Sequence, residues 1–286
     1  MLYLATNAIV IPLFCPPIKF INMYGQNDCY NPTNPALWIS DTGTYVLLVR
    51  AVNYRKFHDY TFTLSEPMSN SIYMVQRGDN VHSLLTDSAE RVHVDYGAPV
   101  HRTYWRGPED IRFLTPTSVL ATVPELTPGG HPSVFRAHLD GATLSRFEPL
   151  EPNTTPQKNW MPYGAGWVYS VHPWTVHTPT PRTLPFDTQC LAGYHGSTNG
   201  VLVDGWWWFI IHDKKEHRWL RLRTDEGAAD VSEPFAFFRN TYIEFCCSVS
   251  YYGGDLWIAL GCNDAHAYVV RIPLSVVLKL SFTSLK

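Results

Sequence analysis

Asp204-Gly205-Trp206-Trp207-Trp208-Phe209-Ile210-Ile211-His212 is a turn followed by an unbroken aromatic and β-branched run that ends on a histidine. Such a run, too short for a helix and without helical periodicity, reads as a strand buried on both faces. The form recurs. Gly43-Thr44-Tyr45-Val46-Leu47-Leu48-Val49-Arg50, Thr117-Ser118-Val119-Leu120-Ala121-Thr122-Val123, Gly164-Ala165-Gly166-Trp167-Val168-Tyr169-Ser170-Val171-His172 and Gly253-Gly254-Asp255-Leu256-Trp257-Ile258-Ala259-Leu260-Gly261 share it, the second without its glycine. From Tyr45, Val119, Trp167, Trp206 and Leu256 the steps are 74, 48, 39 and 50 residues, close to the length of one blade of a β-propeller. Five units predict an all-β, five-bladed β-propeller, a single domain over residues 1–286 whose top-face loops converge on a central cavity. The apolar N-terminal run, residues 1–15, is expected to be a strand that closes the ring in the last blade. The long first step leaves room for an insertion around residues 70–100. A two-sheet sandwich also produces many short strands, but the repeat spacing favours the propeller.

The rest of the sequence is consistent with strands and turns. Its 286 residues include 22 prolines and 18 glycines, and little helix is expected; the most helix-like segment is 273–280. An apolar fraction of 45% with 16% charged residues excludes disorder as the main state. The net charge is −3, with no basic block stronger than Arg218, Arg221 and Arg223 beside Trp219, so no nucleic-acid partner is expected. No stretch approaches 18 uninterrupted apolar residues, and no membrane partner is expected. The N-terminal run lacks a basic leader and is broken by Asn7 and Pro12, from which a cytoplasmic location is expected. The six cysteines show no C-x-x-C pair and read as buried free thiols. Among 12 histidines the closest pairs, His172 with His177 and His212 with His217, have no third ligand nearby, so no metal is expected. Asn153-Thr154-Thr155 matches a glycosylation sequon at a frequency near chance.

The most informative segment for chemistry is Gly107-Pro108-Glu109-Asp110-Ile111-Arg112-Phe113. On a regular strand Glu109 and Asp110 point to opposite faces while Asp110 and Arg112 share one, giving an Asp–Arg pair. The competing reading is a blade-entry turn with a structural salt bridge. Lys158-Asn159-Trp160-Met161-Pro162-Tyr163 offers a cation, an amide and aromatics, the mixture that meets sugar hydroxyls and sugar faces, although a loop tryptophan also serves simple packing. Polar groups at strand ends follow at His172, in Gly196-Ser197-Thr198-Asn199-Gly200, and at His212, Glu244 and Asn263-Asp264.

Taken in order, these segments resemble the family 130 glycoside phosphorylases and hydrolases. Asn34-Pro35-Ala36 with the strand ending Val49-Arg50-Ala51 is similar to the family's opening. Glu109-Asp110-Ile111-Arg112 is similar to its Glu-Asp-Pro-Arg motif, with Ile111 in place of the proline. Lys158-Asn159, Val171-His172-Pro173, the Gly-rich segment before Gly205-Trp206, the strand ending in His212, and Gly261-Cys262-Asn263-Asp264 follow in the family's order, so the resemblance spans about residues 30–272.

The resemblance implies an enzyme that cleaves β-mannosides or related oligosaccharides with inversion. It implies Asp110 as proton donor with Glu109 assisting, and Asn34, Arg50, Arg112, Lys158, Asn159, Trp160, His172, His212 and Asp264 around the substrate. Glu244, an acid interrupting a hydrophobic strand, is the candidate base, because such a group is costly there without a role or a partner. The phosphate-clamping arginines of the phosphorylases are absent beside His172-Pro173 and before Lys158. Inorganic phosphate is therefore disfavoured unless Arg182 or Arg239 reaches the site, no other cofactor is expected, and hydrolysis is preferred. A mannosyltransferase using an activated sugar donor and a non-catalytic sugar-binding propeller are the alternatives.

Overall fold

Each of the five apolar runs forms the second strand of its own sheet in the computed structural model, which describes residues 2–285 apart from 15, 23, 58–59, 64–68, 85–87, 151–154, 178–185, 215 and 224–226. The first sheet is Asn31–Ile39, Tyr45–Val52, Ser69–Gly78 and Ala89–Arg91, with Trp105–Arg106 pairing parallel to Ser69–Asn70. The second is Glu109–Thr115, Ser118–Thr122, Val134–Asp140 and Thr143–Pro149, and the third is Met161–Tyr163, Gly166–Val171 and Trp174–His177. In the fourth, His195–Gly196 and Val201–Val203 both pair with Trp206–Asp213, followed by Glu216–Arg223 and Ala228–Ser232. The fifth, Glu244–Tyr252, Asp255–Cys262 and His266–Pro273, is completed by Ile9–Leu13 of the N-terminal run, in register from Ile9 opposite Arg271 to Leu13 opposite Ala267, whereas Leu2–Tyr3 of that run pairs with Phe235–Ala236 of the fourth sheet.

The second strands are apolar at successive positions because both of their faces are covered. Val46 and Leu48 pack against the second sheet while Leu47 and Val49 pack against the fifth. Phe209 and Ile211 meet the third sheet, and Trp208 and Ile210 meet the fifth. Leu120 faces Trp160 of the next unit, and Val119 and Ala121 face the first sheet. Each sheet thus contributes to two hydrophobic clusters, one with each neighbour, and the sheets follow one another radially as in a propeller. Leu47 and Leu48 are both buried, each worth about 1.5–3 kcal/mol of transfer free energy.

The first strands differ, since they meet other first strands around the channel. Polar side chains tie them together there. Leu37 N donates to Ser248 Oγ (2.6 Å) and Ser250 Oγ donates to Leu37 O (3.1 Å). Asn199 Nδ2 donates to Val249 O (2.9 Å) and its Oδ1 accepts from Val249 N (3.2 Å), while Ser197 Oγ donates to Cys246 O (2.6 Å). These bonds link the first, fourth and fifth sheets and satisfy polar groups that burial would otherwise penalise.

The extra length of the first unit is not one insertion at 70–100. It is divided between a hairpin, Tyr54–Phe57 with Tyr60–Thr63, and the segment after Ala89–Arg91, where His93–Val94 leaves the first sheet and pairs parallel to Thr143–Leu144 of the second. The described cysteines form no disulfide with one another; Cys246, Cys247 and Cys262 are buried, whereas Cys29 is half-buried and Cys190 exposed. Cys15 and the sequon asparagine Asn153 lie outside the described residues. The one α-helix among them is the four-residue Leu274–Val277, and no helix is long and apolar enough to cross a membrane.

Candidate functional site

The chain enters the first, second and fifth sheets at the same end of the channel, where a cavity of about 390 Å³ opens. Asn34, Arg50, Glu109, Asp110, Lys158, Asn159, His212 and Asp264 all line it. Residues 230 positions apart in the chain are thus gathered by the propeller, Asn34 from the first sheet and Asp264 from the fifth.

Arg50 is the hub. It is 3% exposed; its Nη2 is 2.6 Å from Glu109 Oε1, its Nη1 is 3.1 Å from Asp110 Oδ1, and its Nε donates to Ser71 Oγ at 2.7 Å. Asn34 Nδ2 donates to the same Asp110 oxygen at 2.9 Å, and Thr33 Oγ1 donates to Asn34 Oδ1 at 3.0 Å, which fixes the amide orientation. Asp110 Oδ2 makes no hydrogen bond to a described residue, so one carboxylate oxygen is held and the other is left for a ligand.

Strand alternation fails at the acids, for a local reason. Asp110 has φ 49° and the pairing register shifts between Glu109 and Arg112, a bulge that aims both carboxylates at one guanidinium. The expected Asp110–Arg112 side-chain pair does not form. Arg112, 2% exposed, donates instead through Nη1 to the Asp110 main-chain oxygen (2.9 Å) and through Nε to Ser197 O, with its guanidinium 5.6 Å from the Phe245 ring centre. Asn34, Asn159 and Asp264 also have positive φ, at 35°, 65° and 50°. Asn and Asp are the side chains that tolerate this region, and such conformations collect at functional sites.

Electrostatics divide the cavity. Burial pushes the Glu109 carboxyl above its ordinary range, reinforced by the neighbouring Asp110 and Asp264 charges and opposed by Arg50 and Lys158. Glu109 therefore keeps its proton to higher pH than a solvated glutamate. Burial, with His217, Arg112, His195 and Lys158 nearby, holds His212 well below the usual imidazole value, so its ring is neutral at pH 7. Burial also raises the Tyr54 phenol.

Four expected site residues do not line the cavity, the first being Arg112, which is turned to the main-chain oxygens of Asp110 and Ser197. Trp160 is 2% exposed and stacks on Trp167 at 5.8 Å between ring centres, so it packs the interface of the second and third sheets. His172 Nδ1 is 3.1 Å from Thr188 Oγ1 and its ring does not line the cavity. Glu244 is fully buried and anchors a loop: its carboxylate accepts from Phe237 N and Phe238 N, both at 2.8 Å, and from Thr241 Oγ1 at 2.7 Å. The partners that make an acid tolerable in a strand are there, but they are structural, and Glu244 does not reach the cavity. Of the arginines considered for phosphate, Arg239 sits 5.4 Å from the Tyr3 ring centre and does not line the cavity, and Arg182 lies outside the described residues.

Sequence reasoning missed the aromatic wall. Tyr54 and Trp105, in edge contact at 5.3 Å between ring centres, line the cavity with Phe245, whose ring lies 4.8 Å from that of His212. In the sequence they are indistinguishable from strand packing. Gly196 and Gly261, both within motifs read from the sequence, have a steric role the sequence did not reveal: they let the sheets approach. A Cβ on Gly261 would fall 2.1 Å from Asn34 Oδ1, and one on Gly196 would fall 2.1 Å from Asn159 O. Either would displace a cavity residue.

A β-propeller with an acidic, aromatic-walled cavity at one end of its channel is thus the class that fold and site define. Its fold is that of the family 130 mannoside phosphorylases and hydrolases. A β-1,2-mannobiose phosphorylase from Listeria innocua superposes with a TM-score of 0.59 at 9% identity, over 94% of this chain and 98% of that one. A member of the GH130 family of mannoside phosphorylases, which contains glycoside hydrolases that target β-1,2-mannosidic linkages in Candida mannan, gives 0.52 at 13% identity over 94% of each chain. A glycosyl hydrolase from Bacteroides ovatus gives 0.51 at 12% identity over 93% and 91%. No family model matches the sequence, and no curated protein matches it.

Proposed function

We propose that this chain is an inverting glycosidase that hydrolyses β-mannosidic or closely related linkages of short oligosaccharides. Its five sheets are read as the five blades of one domain, and the pairing of Ile9–Leu13 with His266–Pro273 as the closure of the ring. The observation that carries the functional reading is the Arg50 clamp: one buried guanidinium orients Glu109 and Asp110, Asn34 fixes the second of these, and the remaining Asp110 oxygen is left for the glycosidic oxygen.

Asp110 is the proton donor in this reading, and Glu109, pushed up by burial, holds a proton beside it. Inversion needs a second carboxylate about 6.5–9.5 Å away to direct water. Asp264 takes that role in place of Glu244, being the carboxylate that lines the cavity outside the Glu109–Asp110 pair. Trp105 and Tyr54 offer rings to the apolar sugar face, and Lys158 and Asn159 offer donors to hydroxyls. Hydrolysis is favoured over phosphorolysis because Arg50 is committed to two carboxylates, leaving Lys158 as the one lining cation without an ion pair among the described residues. A phosphate dianion needs convergent cations.

The test is product analysis by NMR on β-1,2- and β-1,4-mannobiose, with and without phosphate, for the wild type and Asp110→Asn. Free α-mannose formed without phosphate and abolished by the substitution supports the proposal. Mannose 1-phosphate overturns the hydrolytic assignment. Binding without turnover in every condition assigns the chain to the sugar-binding propellers, and turnover with a nucleotide-activated mannose alone assigns it to the transferases.

A further inference from the structure

The opposite end of the channel holds a second cavity, of about 330 Å³. The innermost strands of all five sheets contribute to it, through Ile39, Leu114, Tyr163, Val201 and Tyr251. Four of its lining residues are partly exposed aromatics, each from a different sheet: Trp38, Tyr163, Trp207 and Tyr251. Tyr163 and Trp207 meet edge to face at 5.4 Å between ring centres. The Tyr163 and Tyr251 hydroxyls, the Trp38 and Trp207 indole N–H groups and the Asp41 carboxylate make no hydrogen bond to any described residue. Asp41 is the one charged side chain in the lining.

We infer that this second mouth is a binding site for a neutral oligosaccharide, separate from the catalytic cavity. An aromatic side chain with an apolar face and a polar tip matches a sugar ring, which is apolar on one face and hydroxylated at its rim. A carboxylate accepts hydroxyl protons well. A phosphorylated or otherwise anionic ligand is disfavoured, since no cation lines the mouth and Asp41 repels it. A purely apolar ligand would leave the five polar tips and their water unused. The volume lies within the range of about 300–1,000 Å³ typical of ligand sites, enough for a short saccharide. A site there lets the propeller hold a chain without occupying the catalytic cavity.

The test uses full-length Asp110→Asn protein, titrated calorimetrically and by saturation-transfer NMR with β-1,2-mannotetraose, β-1,4-mannotetraose and cellotetraose. The same titrations are run with Tyr251→Ala and, separately, Leu202→Arg added. Leu202 is 54% exposed at the rim, so its replacement fills the mouth without touching the core. The expected result is a binding event weakened at least tenfold by either added change, while the same two changes in otherwise wild-type protein leave turnover of mannobiose within twofold. If Tyr251→Ala unfolds the protein, Leu202→Arg decides. Binding of none of the three sugars beyond a single event unaffected by both changes overturns the inference. The readout is independent of the proposed reaction: a protein without turnover that keeps the rim-sensitive event fails only as a glycosidase, and one with turnover but no such event loses only the second site.

Discussion

The two mouths of one channel are built from the same innermost strands and have opposite chemistry. At the first, Glu109, Asp110 and Asp264 face Arg50 and Lys158, and Asn34, Asp110, Asn159 and Asp264 take left-handed backbone conformations. At the second, aromatic rings dominate and Asp41 is the lone charge. The contrast follows from how each is held. Residues of the charged mouth are fixed by a neighbouring sheet, as Asn34 is by the absence of a side chain on Gly261 and Asn159 by its absence on Gly196. The aromatic mouth carries polar tips with no protein partner, which suits capture of a flexible ligand better than chemistry on one bond.

That comparison breaks most visibly at Asp110. Replacement by Asn, which suits the left-handed backbone, is expected to lower kcat by about 10²–10⁴ with substrate affinity retained; steady-state kinetics with direct binding measures both, and a comparable loss from Tyr251→Ala would erase the difference between the mouths. Arg50→Met leaves Glu109 and Asp110 together without their guanidinium. It is expected to cost about 3 kcal/mol in stability, read by urea denaturation, whereas Asp41→Asn at the other mouth should change stability by less than about 0.5 kcal/mol. Gly261→Ala alters no polar group, yet pushes Asn34 off Asp110, and kcat/KM should fall by about 10- to 100-fold; unchanged kinetics would mean that the Asn34 contact does not matter.

The pH dependence of stability sharpens the picture further. Folded Glu109 binds a proton that the unfolded chain releases above about pH 4.5, so its contribution to stability declines as pH rises through its raised value. His212 acts in the other sense: the unfolded chain takes up a proton below about pH 6.5 that the folded ring refuses, so stability declines as pH falls below that point. Each group contributes a slope of at most about 1.4 kcal/mol per pH unit. Urea titrations between pH 4 and 8 should show Glu109→Gln removing the first slope and His212→Asn the second, with Tyr251→Ala leaving both unchanged.

Second strands were legible in the sequence because neighbours cover both of their faces and leave a continuous apolar run. First strands were hidden: Asn31–Ile39 carries two prolines and Glu244–Tyr252 a glutamate and serines, since these strands meet each other through side-chain hydrogen bonds. At the site, clustered charges before an apolar run made Glu109 and Asp110 visible, but not their geometry, because a bulge sends both to Arg50 where simple alternation would part them. Glu244 misled for an instructive reason. A buried acid does signal partners, but two backbone N–H groups and Thr241 satisfy it without any ligand. Tyr54, Trp105 and Phe245 gave no signal, since an aromatic that walls a cavity and one that packs a core are the same letter in a sequence.

The pairing of Ile9 with Arg271 joins two strands about 260 residues apart in the chain. Contacts so distant in sequence carry a large loop-closure entropy and slow the folding rate. Until they form, His266–Pro273 offers an open edge to which Ile9–Leu13 of another molecule can add in competition with its own. Refolding yield of monomer is therefore expected to fall as protein concentration rises, as read by size-exclusion chromatography of chains refolded over a dilution series.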